Sequence, residues 1–373
     1  MKIKILQIGM TKNIGGMETY IIEQYRHINH NIISYDFMNI TGENQMVFQE
    51  EIERNGDIVY SVPSRHINPI KHWLKWLSFM YNNASKYEGI VLNTCDQSVG
   101  WPLFLAKVFK IPKRIVHSHN AGNEVKSSLF RRLLYKINQF IWDYSITERW
   151  ACSKEAGQWM FGSKAFTIIR NAIDINKFTY NPDMRIKIRN DLNINNKLVV
   201  GHVGRVSYQK NHEFLLDIFY VLHQKNKESV LLLVGDTDFD EVQSKKLKEK
   251  ISQYSLNDSV ILLGMRNDIE NIMQAMDCFV LPSFFEGLAL VGVEAQCAGL
   301  PCFFSDTITR DISMSQLSTF ISLDQKADYW ADSILNKMIN ITRNDMSEDI
   351  LQAGYSISSE AKRVESLYLK QDR

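Results

Sequence analysis

The stretch from Cys278 to Pro301 constrains the fold more than any other. Cys278-Phe279-Val280-Leu281 is a short, uninterrupted apolar run, the pattern of a strand buried on both faces. Glu286-Gly287 reads as a turn that lets the backbone come close to another group. Leu290 to Ala298 follows helical apolar spacing, and Gly299 with Pro301 stops it. A buried strand feeding a turn and then a helix is the working unit of an α/β domain. Two carboxylates stand in this unit, with seven residues between them: Glu286 at the turn and Glu294 further on. The spacing predicts Glu294 about two turns into the helix. The free N–H groups at a helix start suit phosphate. A carboxylate only accepts hydrogen bonds, so it suits a pair of neighbouring hydroxyls. Phosphate on the amides and hydroxyls on the carboxylates together describe a nucleotide sugar.

The chain has 373 residues, enough for two domains. Its 45% hydrophobic and 23% charged residues are ordinary for a soluble globular protein. A net charge of +1 offers no electrostatic case for nucleic acid. The five cysteines form no C-x-x-C pair and read as reduced thiols of a cytoplasmic protein. Cys297 and Cys302 are close in sequence, but no neighbouring His or Cys completes a metal site. The opening Met1 to Gly9 is basic then apolar. It is too short for a secretory signal and reads as a first strand. No run approaches the length of a membrane span.

The second half opens on another buried strand, Leu198 to Val203, which runs into Gly204-Arg205, with Lys210-Asn211 at the next helix start. Two fixed cations at a strand end can neutralise a diphosphate, Arg by its planar fork and Lys as a point charge. The string G-R-x4-K-N and the Pro282–Pro301 segment with its E-x7-E spacing closely resemble the retaining glycosyltransferases of family 4, which have the GT-B fold. The resemblance spans nearly the whole chain and is strongest from Gly201 to Pro301. It implies that Glu286 contacts the transferred sugar and Glu294 binds the ribose hydroxyls. Gly204, Arg205 and Lys210 are placed with the diphosphate. Gly287, Leu288 and Leu290 also join the donor site, and Arg266, after the strand Val260 to Leu263, falls near the nucleotide base.

The first half supports the same comparison. Lys2 to Ile8 reads as a strand, and Asn13 to Glu18 with adjacent Gly15 and Gly16 leads to a helix from about Thr19. Alone, this is equally an ordinary strand-to-helix turn; it resembles the GG-x-E loop of the family, which makes Gly16 a donor-site residue. Arg114 to Asn120 is a strand that ends in His117 and His119. Polar residues at the C-terminal end of such a strand fall where α/β folds bind ligands. By resemblance His119 lies against the donor sugar, hydrogen bonding and stabilising charge, with His117 as the other candidate. Arg170-Asn171-Ala172-Ile173-Asp174 resembles the family's P-N-G-I-D segment, with Arg170 and Ala172 in place of its Pro and Gly.

Two segments carry further expectations. Residues 101–150 hold nine Lys and Arg against three Asp and Glu, and both Pro69–Tyr81 and Ser127–Ile146 mix basic with apolar and aromatic residues. Such helices suit an anionic membrane surface, although the same apolar stripe also suits the domain core. Asp236-Thr237-Asp238 has the D-x-D form of a metal–diphosphate site. It lies where the resemblance puts a loop, in a family that needs no metal, so no metal or other cofactor is expected.

The expected architecture is α/β, GT-B: two Rossmann-like domains with a cleft between them. Residues 1–178 form an acceptor-binding domain and 179–355 a nucleotide-sugar domain. Residues 356–373 include a helix from Lys362 that crosses back onto the first. The expected reaction moves a hexose or N-acetylhexosamine from a UDP-sugar to a hydroxyl of a sugar acceptor, lipid-linked, for bacterial capsule or exopolysaccharide. The anomeric configuration is retained, and the enzyme works in the cytoplasm or on the cytoplasmic face of the membrane. Three rivals are weighed. A glycoside hydrolase would use the two Glu as acid and nucleophile but would leave Arg205 and Lys210 idle. A nicotinamide dehydrogenase lacks its G-x-G-x-x-G. A nucleotide-sugar-binding scaffold without turnover stays open, and for the transferase itself a soluble or protein acceptor remains the alternative.

Overall fold

The computed structural model describes residues 2–120, 122, 129–339 and 341–370, with only the backbone of 129–131. The chain divides into two compact units, Met1–Ala172 with Ile357–Arg373, and Ile173–Ser356. The first boundary therefore falls at residue 172 rather than 178. Ile173 bridges Ser356, and its N–H donates to the Tyr355 carbonyl at 2.9 Å, which ties the segment to the second unit. Asp174 then caps the short helix Ile175–Phe178, accepting from Asn176 N at 3.1 Å.

The first unit holds a seven-stranded parallel sheet. Its strands are β1 (Ile3–Ile8), β2 (Ile33–Asn39), β3 (Val59–Ser61), β4 (Gly89–Thr94), β5 (Lys113–Ser118), β6 (Glu148–Ala151) and β7 (Thr167–Ile168). The order is β3-β2-β1-β4-β5-β6-β7, so the winding reverses between β1 and β4. The second unit holds six parallel strands: β8 (Leu198–Val203), β9 (Ser229–Val234), β10 (Val260–Gly264), β11 (Cys278–Leu281), β12 (Cys302–Ser305) and β13 (Ser318–Ile321). Their order is β10-β9-β8-β11-β12-β13, with the reversal between β8 and β11. Ligands of such sheets bind at the C-terminal strand ends beside the reversal.

Sequence explains these elements locally. β2, β4 and β9 are buried at every residue, as strands covered by helices on both faces must be. Asn68 accepts from Lys71 N at 2.9 Å and Pro69 follows at the first helical position, which starts the helix Pro69–Asn83. Ser153 caps Lys154–Phe161 in the same way. Asp277, just before β11, accepts from Arg185 at 2.5 Å, Arg189 at 3.2 Å and the Val199 N–H at 2.7 Å. These bonds lock β11 against β8 and so fix the reversal point.

The C-terminal helix runs Ile357–Leu369, starting five residues before Lys362, and belongs to the first unit. Val364 and Tyr368 enter that unit's core, Tyr368 against the rings of Tyr35 and Trp150. Lys113 Nζ donates to the carbonyls of Leu367 and Lys370 at 3.1 and 2.7 Å, a cation on the negative end of the helix. Among the described residues, no helix is long and apolar enough to cross a membrane.

Candidate functional site

In the second unit the predicted residues gather at the β8/β11 reversal. Glu286 follows β11 and Lys210 follows β8, and Lys210 Nζ donates to Glu286 Oε1 at 2.8 Å. The side chains are only 14% and 8% exposed. Ser283 Oγ donates to the same oxygen at 2.8 Å, and Gln209 Nε2 donates to Oε2 at 3.0 Å. Gln209 also donates to the Phe285 carbonyl at 2.9 Å and accepts, through its own backbone carbonyl, from Phe284 N. Ser305 and Thr307 hydroxyls hold the Ser283 carbonyl from β12. The carboxylate is thus held by three donors from two strand ends, an arrangement that fixes its position before any ligand arrives.

The floor of this site is built from close backbone contacts. A Cβ on Gly204 would come within 3.0 Å of the Lys210 stem, so the lysine lies across that glycine. Gly235, at φ +140°, would put a Cβ 2.3 Å from the Gly204 carbonyl, a position that only glycine tolerates. Beneath lie two buried rings, His202 and His212, with centroids 4.7 Å apart. Burial drives the His202 pKa well down, and that of His212 down to about 4, with Lys210 adding to the latter shift. Both are neutral in ordinary buffers.

The remaining predicted residues are held differently. Arg205 is exposed, and its guanidinium stacks on the Phe239 ring at 4.0 Å rather than on Glu286. Arg266 is exposed and makes a two-pronged pair with Asp268 at 2.8 Å. Gly287, Leu288 and Leu290 are buried as the turn enters the helix Leu290–Cys297. Glu294 is the fifth residue of that helix, about one turn in rather than two, because Leu290 is its first residue. It is 8% exposed. Asp236 accepts from the Asp238 N–H, and Asp238 pairs with Lys248 at 3.2 Å. Among the described residues neither joins a cluster of three metal-binding side chains.

The first unit places Gly16 and His119 at the strand ends of its own sheet. The helix starts at Gly16 itself, not near Thr19, and runs to His27; Gly16 is exposed, with open space where a Cβ would go. Glu18 is buried under this loop and accepts from Thr11 Oγ1 at 2.9 Å. His119 is 9% exposed, and its Nε2 lies 3.1 Å from Asn93 Oδ1. Burial lowers its pKa to about 3. At that value the ring is neutral. His117 is packed wholly inside, against Tyr20, His119 and Trp150, which leaves His119 as the ring nearer the surface. Sequence reasoning missed Asn93, Gln209 and Ser283. The signal for Asn93 was a short run, Ile90-Val91-Leu92, ending in polar residues as the histidine strand does.

The helical stripe raised from sequence faces outward. The helix Leu129–Ser145 exposes Leu133, Leu134, Ile137, Phe140 and Tyr144, with Phe140 74% exposed. Its inner face is instead pinned by Asn138 to the Gln97 carbonyl at 2.8 Å and by Trp142 to the Val99 carbonyl at 2.9 Å. The expectations for Lys126 and the segment 123–128 lie outside the described residues, as do the side chains of Leu129, Phe130 and Arg131. On Pro69–Asn83, Ile70, Leu74, Leu77 and Tyr81 are exposed beside Lys71 and Lys75. Trp101 joins the two helices, with its ring 4.7 Å from Trp73 and stacked on Phe104, which meets Tyr144 at 6.4 Å.

Comparison with known proteins fits this geometry. Residues 184–328 match the family model described as "Glycosyl transferases group 1". A Bacillus subtilis (strain 168) protein, EpsF, whose name places it among the glycosyltransferases, is 29% identical over 98% of this chain and 96% of its own. The Escherichia coli UDP-Gal:alpha-D-GlcNAc-diphosphoundecaprenol alpha-1,3-galactosyltransferase is 29% identical over 54% of each chain. Among solved structures, Anabaena Alr3699/HepE in complex with UDP and glucose superposes with a TM-score of 0.75 at 20% identity, covering 98% of this chain and 95% of that one. Sucrose-phosphate synthase of Thermosynechococcus elongatus gives 0.76 at 17% identity, covering 99% and 98%. Residues 184–328 thus match a group 1 glycosyl transferase domain, and the two parallel-sheet Rossmann-like units give this chain the GT-B fold.

Proposed function

We propose that the protein transfers a hexose or N-acetylhexosamine from a UDP-sugar to a hydroxyl of a lipid-linked sugar, with retention of configuration and without a metal, in the assembly of a bacterial surface polysaccharide. The observation that carries this reading is the Lys210–Glu286 pair, held rigidly over Gly204 at the β8/β11 reversal. The UDP in the Anabaena structure and the undecaprenyl-linked acceptor in the E. coli relative's name support the donor and acceptor classes. The name of an Erwinia amylovora relative, amylovoran biosynthesis glycosyltransferase AmsD, supports the polysaccharide context.

The chemistry breaks the bond from the anomeric carbon to the diphosphate oxygen and forms one to the acceptor oxygen. The acceptor's proton passes to the departing diphosphate, so no protein nucleophile is needed. Lys210 and Arg205 stabilise the charge that grows on that leaving group, and preorganised charge is usually the largest catalytic contribution. Lys210 then shares its ammonium between the phosphate and Glu286, whose Oε2 turns to the sugar. Glu294 takes the ribose hydroxyls. Leu290, at a helix start, offers its N–H group to the phosphates, and Arg266 is assigned to the base. The outward apolar and basic face of Pro69–Asn83 and Leu129–Ser145 suits an anionic phospholipid surface at the cytoplasmic leaflet, where a lipid-linked acceptor resides.

The direct test is UDP release from a panel of UDP-sugars in excess EDTA. Release from one of them is expected. Release that requires added Mn²⁺ would restore the Asp236/Asp238 site, and release from none, with or without acceptor lipid, would favour a binding scaffold.

A further inference from the structure

The acidic segment after β9 frames an aromatic ring. Residues 235–240 join β9 to the helix Glu241–Gln253. Asp236 Oδ1 accepts from the Asp238 N–H at 2.9 Å, which closes a tight turn. Asp240 caps the helix, accepting from Val242 N at 3.0 Å and Gln243 N at 3.1 Å. Ser244, buried in that helix, donates back to the Asp240 carbonyl at 2.7 Å. The neighbouring strand ends hold the segment from both sides. The Val206 N–H donates to the Asp236 carbonyl at 2.8 Å, and the Gly235 N–H donates to the Gly264 carbonyl at 2.8 Å. Asp238 pairs away from the strand ends, with Lys248 at 3.2 Å.

Phe239 is the residue this frame presents. Its ring is 39% exposed, and the Arg205 guanidinium carbon lies 4.0 Å from the ring centroid, well inside cation–π range. Such a stack engages the flat face of the guanidinium. The five N–H donors lie in its plane, in a fork that matches phosphate. Among the described residues they meet no carboxylate and no side-chain acceptor. The other cations near these strand ends are committed: Lys210 donates to Glu286, and Arg266 gives two donors to Asp268 at 2.8 Å. A carboxylate beside Arg205 would hold it as firmly but would compete with an incoming phosphate; an aromatic ring holds it and leaves the fork open. We propose that Phe239 is a positioning residue, whose ring fixes the Arg205 guanidinium beyond the end of β8 with its donors uncommitted, ready for a diphosphate. The diphosphate as ligand rests on the function proposed above; the stack does not.

The experiment takes two readouts on the full chain. The first is NMR of protein labelled at arginine, with the Arg205 side-chain signals assigned by their loss in Arg205→Lys. A guanidinium over an aromatic face has its side-chain protons shifted upfield by the ring current. That shift is expected in the wild type, kept in Phe239→Tyr and lost in Phe239→Leu. The second is the Kd for UDP, by calorimetry in EDTA. Phe239→Leu should bind about fivefold more weakly, the order expected of an exposed cation–π contact, and Phe239→Tyr should match the wild type. Phe239→Glu, which sets a carboxylate against the fork, should lose about tenfold or more. In Arg205→Ala, adding Phe239→Leu should cost nothing further, because the two act as one unit. Wild-type affinity in a folded Phe239→Leu, or the same loss in the Arg205→Ala background, would overturn the positioning role. A wild type without the ring-current shift would overturn the stack. A chain that shows the shift and binds no UDP would contradict the donor proposed above and the diphosphate with it, and leave the stack standing.

Discussion

At the residue scale, the role proposed for Glu286 separates binding from chemistry. Its carboxylate is fixed by Lys210, Gln209 and Ser283, and it is assigned to the sugar rather than to the nucleotide. Glu286→Ala should therefore lower kcat by about 10²- to 10³-fold, the range seen when one preorganised electrostatic contact is removed. The Kd for UDP, measured by calorimetry, should change only a few-fold; parallel losses in both would remove the sugar role. Sequence spacing makes Glu286, Lys210 and Gly204 legible as a set, and they do converge within one unit. It does not make legible how each is restrained. Arg205 shares a loop with Lys210 yet stacks on Phe239, because the loop after β9 brings that ring beneath it. His119 is legible as a strand-end histidine, but its neutral state depends on burial by Tyr20 and His117, which no local pattern reports.

At the element scale, most strands can be read from their apolar runs, and the exceptions have physical causes. β4 is a central strand and carries Asn93, yet Gly89-Ile90-Val91-Leu92 is too brief to stand out beside the helical pattern before it. The helix Leu129–Ser145 misleads in the opposite way. Its apolar stripe has the periodicity of a core-facing helix, but Asn138, Gln139 and Trp142 bond inward to Gln97 and Val99 and turn the stripe to the outside. A face this apolar on a single protein is unusual and marks a contact surface. Flotation with vesicles rich in anionic phospholipid should recover the wild-type protein and lose Phe140→Asp/Ile137→Asp, while both bind UDP alike. Equal flotation of the two would assign the stripe another role.

At the scale of the whole molecule, each unit keeps a pair of buried neutral imidazoles near its functional strand ends: His117 and His119 in the first, His202 and His212 in the second. Burial depresses all four pKa values below 6.5, to about 3 for His119 and about 4 for His212. The unfolded chain takes up these protons near pH 6.5 and the folded chain does not. Their contribution is thus whole above that pH and is lost as pH falls toward the folded values. Each histidine can cost up to about 1.4 kcal/mol per pH unit in that window. The Tm should fall steeply between pH 7 and pH 5; a level Tm there would mean that the rings are hydrated and titrate normally.

In the function proposed above, the β8/β11 reversal binds the diphosphate of a uridine nucleotide through protein groups alone. Calorimetric titration of the full chain with UDP in EDTA tests it most directly, with GDP, ADP and NAD as controls. Saturable UDP binding without metal, weakened in Lys210→Ala, is the predicted result. No UDP binding, with GDP or ADP binding in its place, would keep the fold and contradict the donor.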